Sequence, residues 1–395
     1  MYSAFTPGSQ QAGDSRQQRH EGGLPLSARA TGETMAKSNW KNYALIGTAE
    51  GASEMDTEAF EHRVEEEWFS CKLDRKTLKQ LTKRSDAEPL RIFGLWLGLL
   101  VVSGVLGFLT WGTWWCVLPF AVYGVLYSAA DHRAHELSHG TPFKTRWLNT
   151  AFFQLCSFMT LREAYFYRWS HSRHHTHTII VGRDPEIGAP RPTDVLGPVL
   201  DIFFLKDGLT QISRITRNAT GSLTENGQHF VPEMERGKVI WSSRLYLAII
   251  VATIAACIAA HSILPAMFIV LPRFYGGPLS QVFNFTQHAG LDEDVYDHRL
   301  NTRTVLLNPV FAFLYANMNY HIEHHMFPMV PFYALPKLHA LIKDQCPAPY
   351  RGLFAAYCEI VPAIIRQRRD PTWFISRRLP GDGRPVYANS VTVAA

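Results

Sequence analysis

The stretch "NYHIEHHMFP", residues 319–328, places three histidines within five positions of an otherwise apolar part of the chain. Two further clusters lie upstream, "HELSHG" at 135–140 and "WSHSRHHTH" at 169–177. His135 and His139 are four apart, whereas His171, His174 and His175 follow a three-then-one spacing that His321, His324 and His325 repeat. Side chains three and four apart share one face of a helix, so each cluster can aim two or three imidazoles at one point. Eight converging neutral imidazoles make a poor apolar core and a good ligand set for transition metals.

The surroundings of the clusters are those of a membrane protein. The chain has 395 residues, of which 47% are hydrophobic, too few for burial wholly in lipid. Two apolar runs, 92–110 and 114–130, are separated only by "WGT". A second pair follows at 245–260 and 263–285, the last carrying Pro265, Pro272, Arg273 and a Gly pair. Each run is near the length that crosses a hydrocarbon core of about 30 Å at about 1.5 Å per residue. Arg273 must then find a partner or a polar surface. The expected fold is all-α and polytopic, with about four transmembrane helices in two hairpins and a cytosolic helical cap that holds the histidine boxes.

Charge placement gives the orientation. Lys72, Arg75, Lys76, Lys79, Lys83, Arg84, Arg91, Arg133, Lys144 and Arg146 flank the first hairpin, and the turns at 111–113 and 261–262 carry no Lys or Arg. By the positive-inside rule both turns face away from the cytosol. The segment 147–161 is short for a span and reads as a re-entrant or interfacial helix, which leaves all three boxes on the cytosolic side. The cytoplasmic membrane is favoured over an organelle. The net charge of +5 comes from scattered Lys and Arg without a nucleic-acid motif, so it reads as membrane-surface charge. Six cysteines without CxxC spacing read as reduced, packed thiols.

Three regions are expected along the chain. Residues 1–57 form a disordered extension rich in Gly, Ser, Gln and Arg; no cleaved signal peptide is read there, and Met35 offers a second start. Residues 58–350 form the membrane domain, opening with an amphipathic basic segment, and 351–395 a cytosolic helix with a basic tail.

The boxes HELSH, HSRHH and HIEHH, in that order, resemble the HxxxH, HxxHH and HxxHH pattern of the membrane fatty-acid desaturase and hydroxylase superfamily. "NFTQHAG", with Asn284 and His288, is similar to the NxxxH segment that precedes the last box in that family. The resemblance spans roughly residues 65–350. It implies a dinuclear iron centre held by His135, His139, His171, His174, His175, His288, His321, His324 and His325, with Asn284 reaching one iron through a water, and O2 as co-substrate. It further implies an oxidoreductase that introduces a double bond into a lipid acyl chain or lipid-like substrate, with hydroxylation or ketone formation as the alternative on the same framework. Neutral imidazoles leave metal charge uncompensated, so nearby acids are expected to orient the imidazole N–H groups, and Glu136, Asp184 and Glu323 are the candidates. His321 stands where front-end desaturases carry Gln, and no HPGG segment of a fused cytochrome b5 domain is present. A separate ferredoxin- or cytochrome-type electron donor is therefore expected.

Blander readings stand beside these. HELSH also fits the zinc-peptidase HExxH, with Glu136 as general base, but the two HxxHH clusters outweigh it. His132 and His177 adjoin boxes and are as compatible with structural parts as with support of the ligands. His20, His62, His229, His261, His298 and His339 read as structural, and 301–304 as a turn.

Overall fold

A computed structural model describes residues 43–46, 48 and 68–381. Most of the expected extension over 1–57, residues 58–67 of the amphipathic segment, and 382–395 of the basic tail lie outside the described residues.

Helices dominate. The first long one, α1 (Ala87–Leu109), follows a polar turn in which Asp86 accepts hydrogen bonds from the Thr145 N–H and hydroxyl. Its apolar sequence has no proline after Pro89 in the first turn, where a proline is tolerated. The chain reverses through a glycine turn at 111–113, in which Gly112 takes φ 86°, and returns as α2 (Val117–Ser128). Ala129 keeps right-handed helical dihedrals, so helical backbone continues directly into α3 (Ala130–Ser138). The first box therefore sits at the far end of the second apolar run. Two contacts tie α1 to the elements around it. The buried Trp96 indole donates to the Leu126 carbonyl at 2.8 Å. The buried Arg133 guanidinium lies over Trp96 and donates to the Ala129, Phe313 and Leu314 carbonyls.

After α4 (Arg146–Met159) and α5 (Ala164–Thr176), the chain crosses a loop to α6 (Leu205–Ala219), which packs beside α7 (Glu233–Ala259). Helix α7 begins about three turns before the apolar run read from sequence, because its first half is charged but still helical. Among the described residues, α1 and α7 are the two helices long and apolar enough to cross a membrane. Both leave apolar side chains exposed, among them Val101, Phe108 and Leu109 on α1 and Val251, Ile254 and Ile258 on α7.

The fourth expected span is not one helix. The run breaks into Leu264–Phe268, Leu271–Tyr275 and α8 (Gly277–His288). Pro265 and Pro272 each fall in a first turn, and the β-branched Val270 is driven to φ 72° between the two short pieces. At Gly276 an added Cβ would collide with the Gly124 carbonyl, so these two glycines let the segment lie against α2 backbone to backbone. Arg273 finds the partner it requires in Asp131, at 2.9 Å with both side chains buried.

The last box is carried by the six-residue α9 (His321–Met326), held near a two-stranded parallel pair, β1 (Val305–Leu306) and β2 (Tyr350–Arg351). The final helix, α10 (Leu353–Arg369), buries Ala356, Ile360 and Ala363 against α8 and the loop beyond it. Cys71 and Cys346 are free thiols whose sulfurs lie 3.7 Å apart.

Candidate metal centre

Four helix ends deliver the histidines. Box one closes α3. Box two occupies the last two turns of α5, whose start is fixed by Glu163 accepting from the Tyr165 and Phe166 N–H groups. His288 ends α8, and box three makes up most of α9. The ring nitrogens converge as the spacing predicts. One potential ligand atom each from His135, His139, His171, His175 and His324 lies within 4.8 Å of the others, and His174, His288 and His325 form a second such group. His321 touches both members of the second group that flank it: its Nε2 is 3.1 Å from His288 Nε2 and 3.1 Å from His325 Nε2. In the first group His135 Nε2 and His324 Nε2 approach to 2.8 Å, and His171 Nε2 and His175 Nε2 to 3.1 Å.

The outer ring nitrogens show which tautomers are present. His171 Nδ1 lies 2.9 Å from Glu186, His174 Nδ1 2.8 Å from Asp184, and His288 Nδ1 2.8 Å from the Asn301 carbonyl. These partners accept, so each Nδ1 carries the proton and each Nε2 turns a bare lone pair inward. Burial holds His135, His139, His175, His288, His321, His324 and His325 well below the ordinary imidazole value, and the crowding of basic neighbours adds to it. His174 is the exception: burial pulls it down, but Asp184 outweighs burial and raises it. Neutral imidazoles with inward lone pairs fit a transition-metal ion. His139 Nε2 is buried without a hydrogen-bond partner. A proton shared within one pair would leave the other lone pairs facing one another, whereas a cation in each group satisfies them together.

Of the acids expected to orient the rings, only Asp184 makes that contact. Its Oδ2 also accepts from the Ile179 N–H, so the loop is folded around it. Glu136 accepts from the Thr141 hydroxyl and the Phe332 N–H, and its other oxygen stays 3.9 Å from His324 Nδ1. Burial pushes it up to about 8. Glu323 turns away from the rings to His339 Nδ1 at 2.5 Å and the Thr304 hydroxyl at 2.6 Å. On a helix of about 3.6 residues per turn, position 323 falls on the face opposite 321, 324 and 325. Asn284 donates to Asp131 Oδ2 at 3.1 Å and so joins the Asp131–Arg273 pair.

Sequence reasoning missed Glu186, which holds both His171 and the Ser170 hydroxyl, and the part of Asn301, whose backbone carbonyl positions His288. The "RDPE" segment offered two acids close to box two as a signal, but no helical spacing links them to it. His132 lies edge-on to Tyr315 at 4.5 Å, and His298 stacks on Trp68 at 4.1 Å, as packed rings. A cavity of about 420 Å³ opens onto the cluster and is lined by His135, His171, His174, His288 and Asn284.

The comparisons with known proteins agree with this geometry. The chain is 28% identical over 273 residues to an acyl-lipid (7-3)-desaturase of Rebecca salina, covering 60% of this chain and 59% of that protein. It is 23% identical over 302 residues to a fatty acid conjugase of Calendula officinalis, covering 68% of this chain and 77% of that protein. The chain thus spans less than two thirds of the first relative's length. The family model described as fatty acid desaturase matches residues 112–357, the stretch that contains all three boxes, His288 and both inward-facing nitrogen groups, and the chain belongs to that family.

Proposed function

We propose that the nine histidines hold two iron ions and that the enzyme uses O2 to introduce a double bond into an acyl chain or a lipid-like substrate. His135, His139, His171, His175 and His324 serve one ion, and His174, His288, His321 and His325 the other. The observation that carries this reading is the division of the imidazoles into two groups of buried and half-buried rings, each supported by one carboxylate of the same loop: Glu186 through His171 and Asp184 through His174. When bound, iron supplies the redox chemistry by which O2 is reduced and hydrogen is removed from an unactivated methylene. For desaturation, O2 takes two electrons and two protons from the substrate and two of each from outside, leaving two waters. The outside electrons come from a separate ferredoxin- or cytochrome-type donor.

The chain's own residues set the geometry. Asp184, Glu186 and the Asn301 carbonyl fix the ring planes, and burial favours the neutral imidazole everywhere but at His174, which Asp184 raises. Asn284, held by Asp131, lies at the cavity wall, from which it can reach one ion through a water. Glu136 sits behind His324 and is held there by Thr141 and Phe332, which supports a positioning part over that of a peptidase base. In the membrane, α1 with α2 and α7 with the broken 263–285 segment form two hairpins, with the boxes on the cytosolic face of the cytoplasmic membrane. Epitope tags at 111–113 and 261–262 are expected on the far side, and tags near Leu223 in the cytosol.

Product mass and metal analysis test the reading together. Protein produced with ample iron is expected to hold about two irons per chain and to yield a product two hydrogens lighter than its substrate. An oxygen-bearing product labelled stoichiometrically from O2 would replace desaturation by hydroxylation. Stoichiometric zinc without iron would remove the reading altogether.

A further inference from the structure

The cavity that opens on the histidines has a wall with more ionisable residues than aliphatic ones, unusual for a site built around a bare hydrocarbon. Each lysine and arginine of the wall but one has a carboxylate partner, while the carboxylates Glu163 and Asp201 meet backbone N–H groups. Asp131 pairs with Arg273 and Arg162, Asp207 with Arg162 and Gln211, and Glu293 with Arg191. Glu186 holds His171, and Glu163 and Asp201 accept backbone N–H groups at or near helix starts. Lys206 pairs with Asp194.

Among the lysines and arginines that line the cavity, Arg214 is the one without an ion-pair partner among the described residues. It lies one turn beyond Gln211 on α6 and donates to the Gln211 Oε1 at 3.1 Å; its guanidinium stacks over Phe166 with 4.3 Å from Cζ to the ring centroid. Among the described residues it has no carboxylate within ion-pair distance, although it lines the cavity. Gln211 is itself buried and tied through Asp207 to Arg162, so the guanidinium is held in place by a relay along one face of α6.

Resting on the function proposed above, we infer that the substrate carries its own anionic group, a carboxylate or phosphate, which enters the cavity and docks on Arg214. A planar guanidinium with a free edge matches the oxygens of either group.

Binding tests this without turnover. The iron-loaded full chain in lipid nanodiscs is titrated with decanoate, with decan-1-ol and with 1-decanoyl lysophosphatidic acid. Decanoate is expected to bind saturably and to lose at least tenfold in affinity in Arg214→Ala, with a smaller loss in Arg214→Lys, while decan-1-ol is indifferent to both substitutions. If the lysophosphatidic acid binds tighter and shows the same loss, the anion is a lipid headgroup; if decanoate binds tighter, it is a free acid. Equal decanoate affinity in wild type and Arg214→Ala, or decan-1-ol binding as tightly as decanoate, would overturn the inference. Unchanged iron content in Arg214→Ala certifies its fold. Failure of the iron reading shows up separately, as a chain without iron whose anion binding persists.

Discussion

Boxes two and three share one spacing, HxxHH, yet the protein treats them differently. His171 and His174 of box two rest their Nδ1 atoms on Glu186 and Asp184, both from the loop that follows α5. In box three the Nδ1 atoms of His321 and His324 have no hydrogen-bond partner among the described residues, and His325 Nδ1 meets only the Thr178 hydroxyl at 3.1 Å. The acid inside box three, Glu323, is committed to His339. Among the described residues, carboxylates therefore hydrogen-bond to the imidazoles through box two alone, one to each group, while Glu136 stands off at 3.9 Å from His324. Box two orients and compensates; box three contributes lone pairs from a short helix held by its packing.

The strongest way to break this comparison is to remove one histidine from each nitrogen group. His174→Ala deletes a member of the smaller group and His324→Ala a member of the larger. Each is expected to lower iron from about two per chain toward one and to reduce product formation at least 100-fold, since the two ions act on one oxidant. Metal analysis with a product assay checks both. If either variant kept two irons, the assignment of imidazoles to two groups would fail.

The next effect tests the carboxylates. Asp184→Asn keeps the shape and an acceptor oxygen but loses the charge. Removal of such a partner costs about 10–100-fold in metal affinity, so iron should be stripped by chelator at correspondingly lower concentration. Glu186→Gln should behave alike, because it stands in the same relation to His171.

How much of this was legible in the sequence depends on whether helical geometry mediated it. The three boxes were legible because i, i+3 and i+4 positions on helix ends converge whatever the rest of the fold does, whereas His288, a lone histidine, was reached only through the resemblance of its NxxxH segment. Asp184 was reached as an acid close to box two, while Glu186 was missed because the loop between them imposes no periodicity. Glu323 was assigned to the rings for its proximity in sequence, although its angular position on α9 already placed it on the other face. The fourth apolar run carried Pro265, Pro272 and two glycines that announce breaks, but hydropathy averages over them. The start of α7 was read too late for the opposite reason: its first three turns are polar, and packing against α5 and α6 rather than apolarity keeps them helical.

A smaller effect concerns the frame that brings the boxes together. Gly276→Ala forces a methyl group onto the Gly124 backbone, where no flexible side chain can yield. Overpacking of this kind costs about 1–3 kcal/mol, and the melting temperature in detergent should fall accordingly. Because α8 continues from this contact to His288, iron should also exchange faster. A melt indistinguishable from wild type would mean that the close approach of the two segments is not made in the membrane.

The smallest expected effect is the sharpest test of the difference between the boxes. Glu323→Gln retains the hydrogen bond from the Thr304 hydroxyl, because an amide oxygen accepts as a carboxylate does, and loses the charge beside His339. The lost charge-assisted bond is worth about 1.5–3 kcal/mol at most, and with the amide oxygen turned to Thr304 the amide NH2 faces His339, which accepts from it in its other tautomer. A modest fall in melting temperature is therefore expected. Iron affinity should stay within about twofold of wild type, since no imidazole of the centre touches this side chain. The decisive comparison is with Asp184→Asn in the same chelator titration. If Glu323→Gln released iron as readily as Asp184→Asn, box three would be supplying charge to the centre through Glu323, and the division of labour between the two boxes would be wrong.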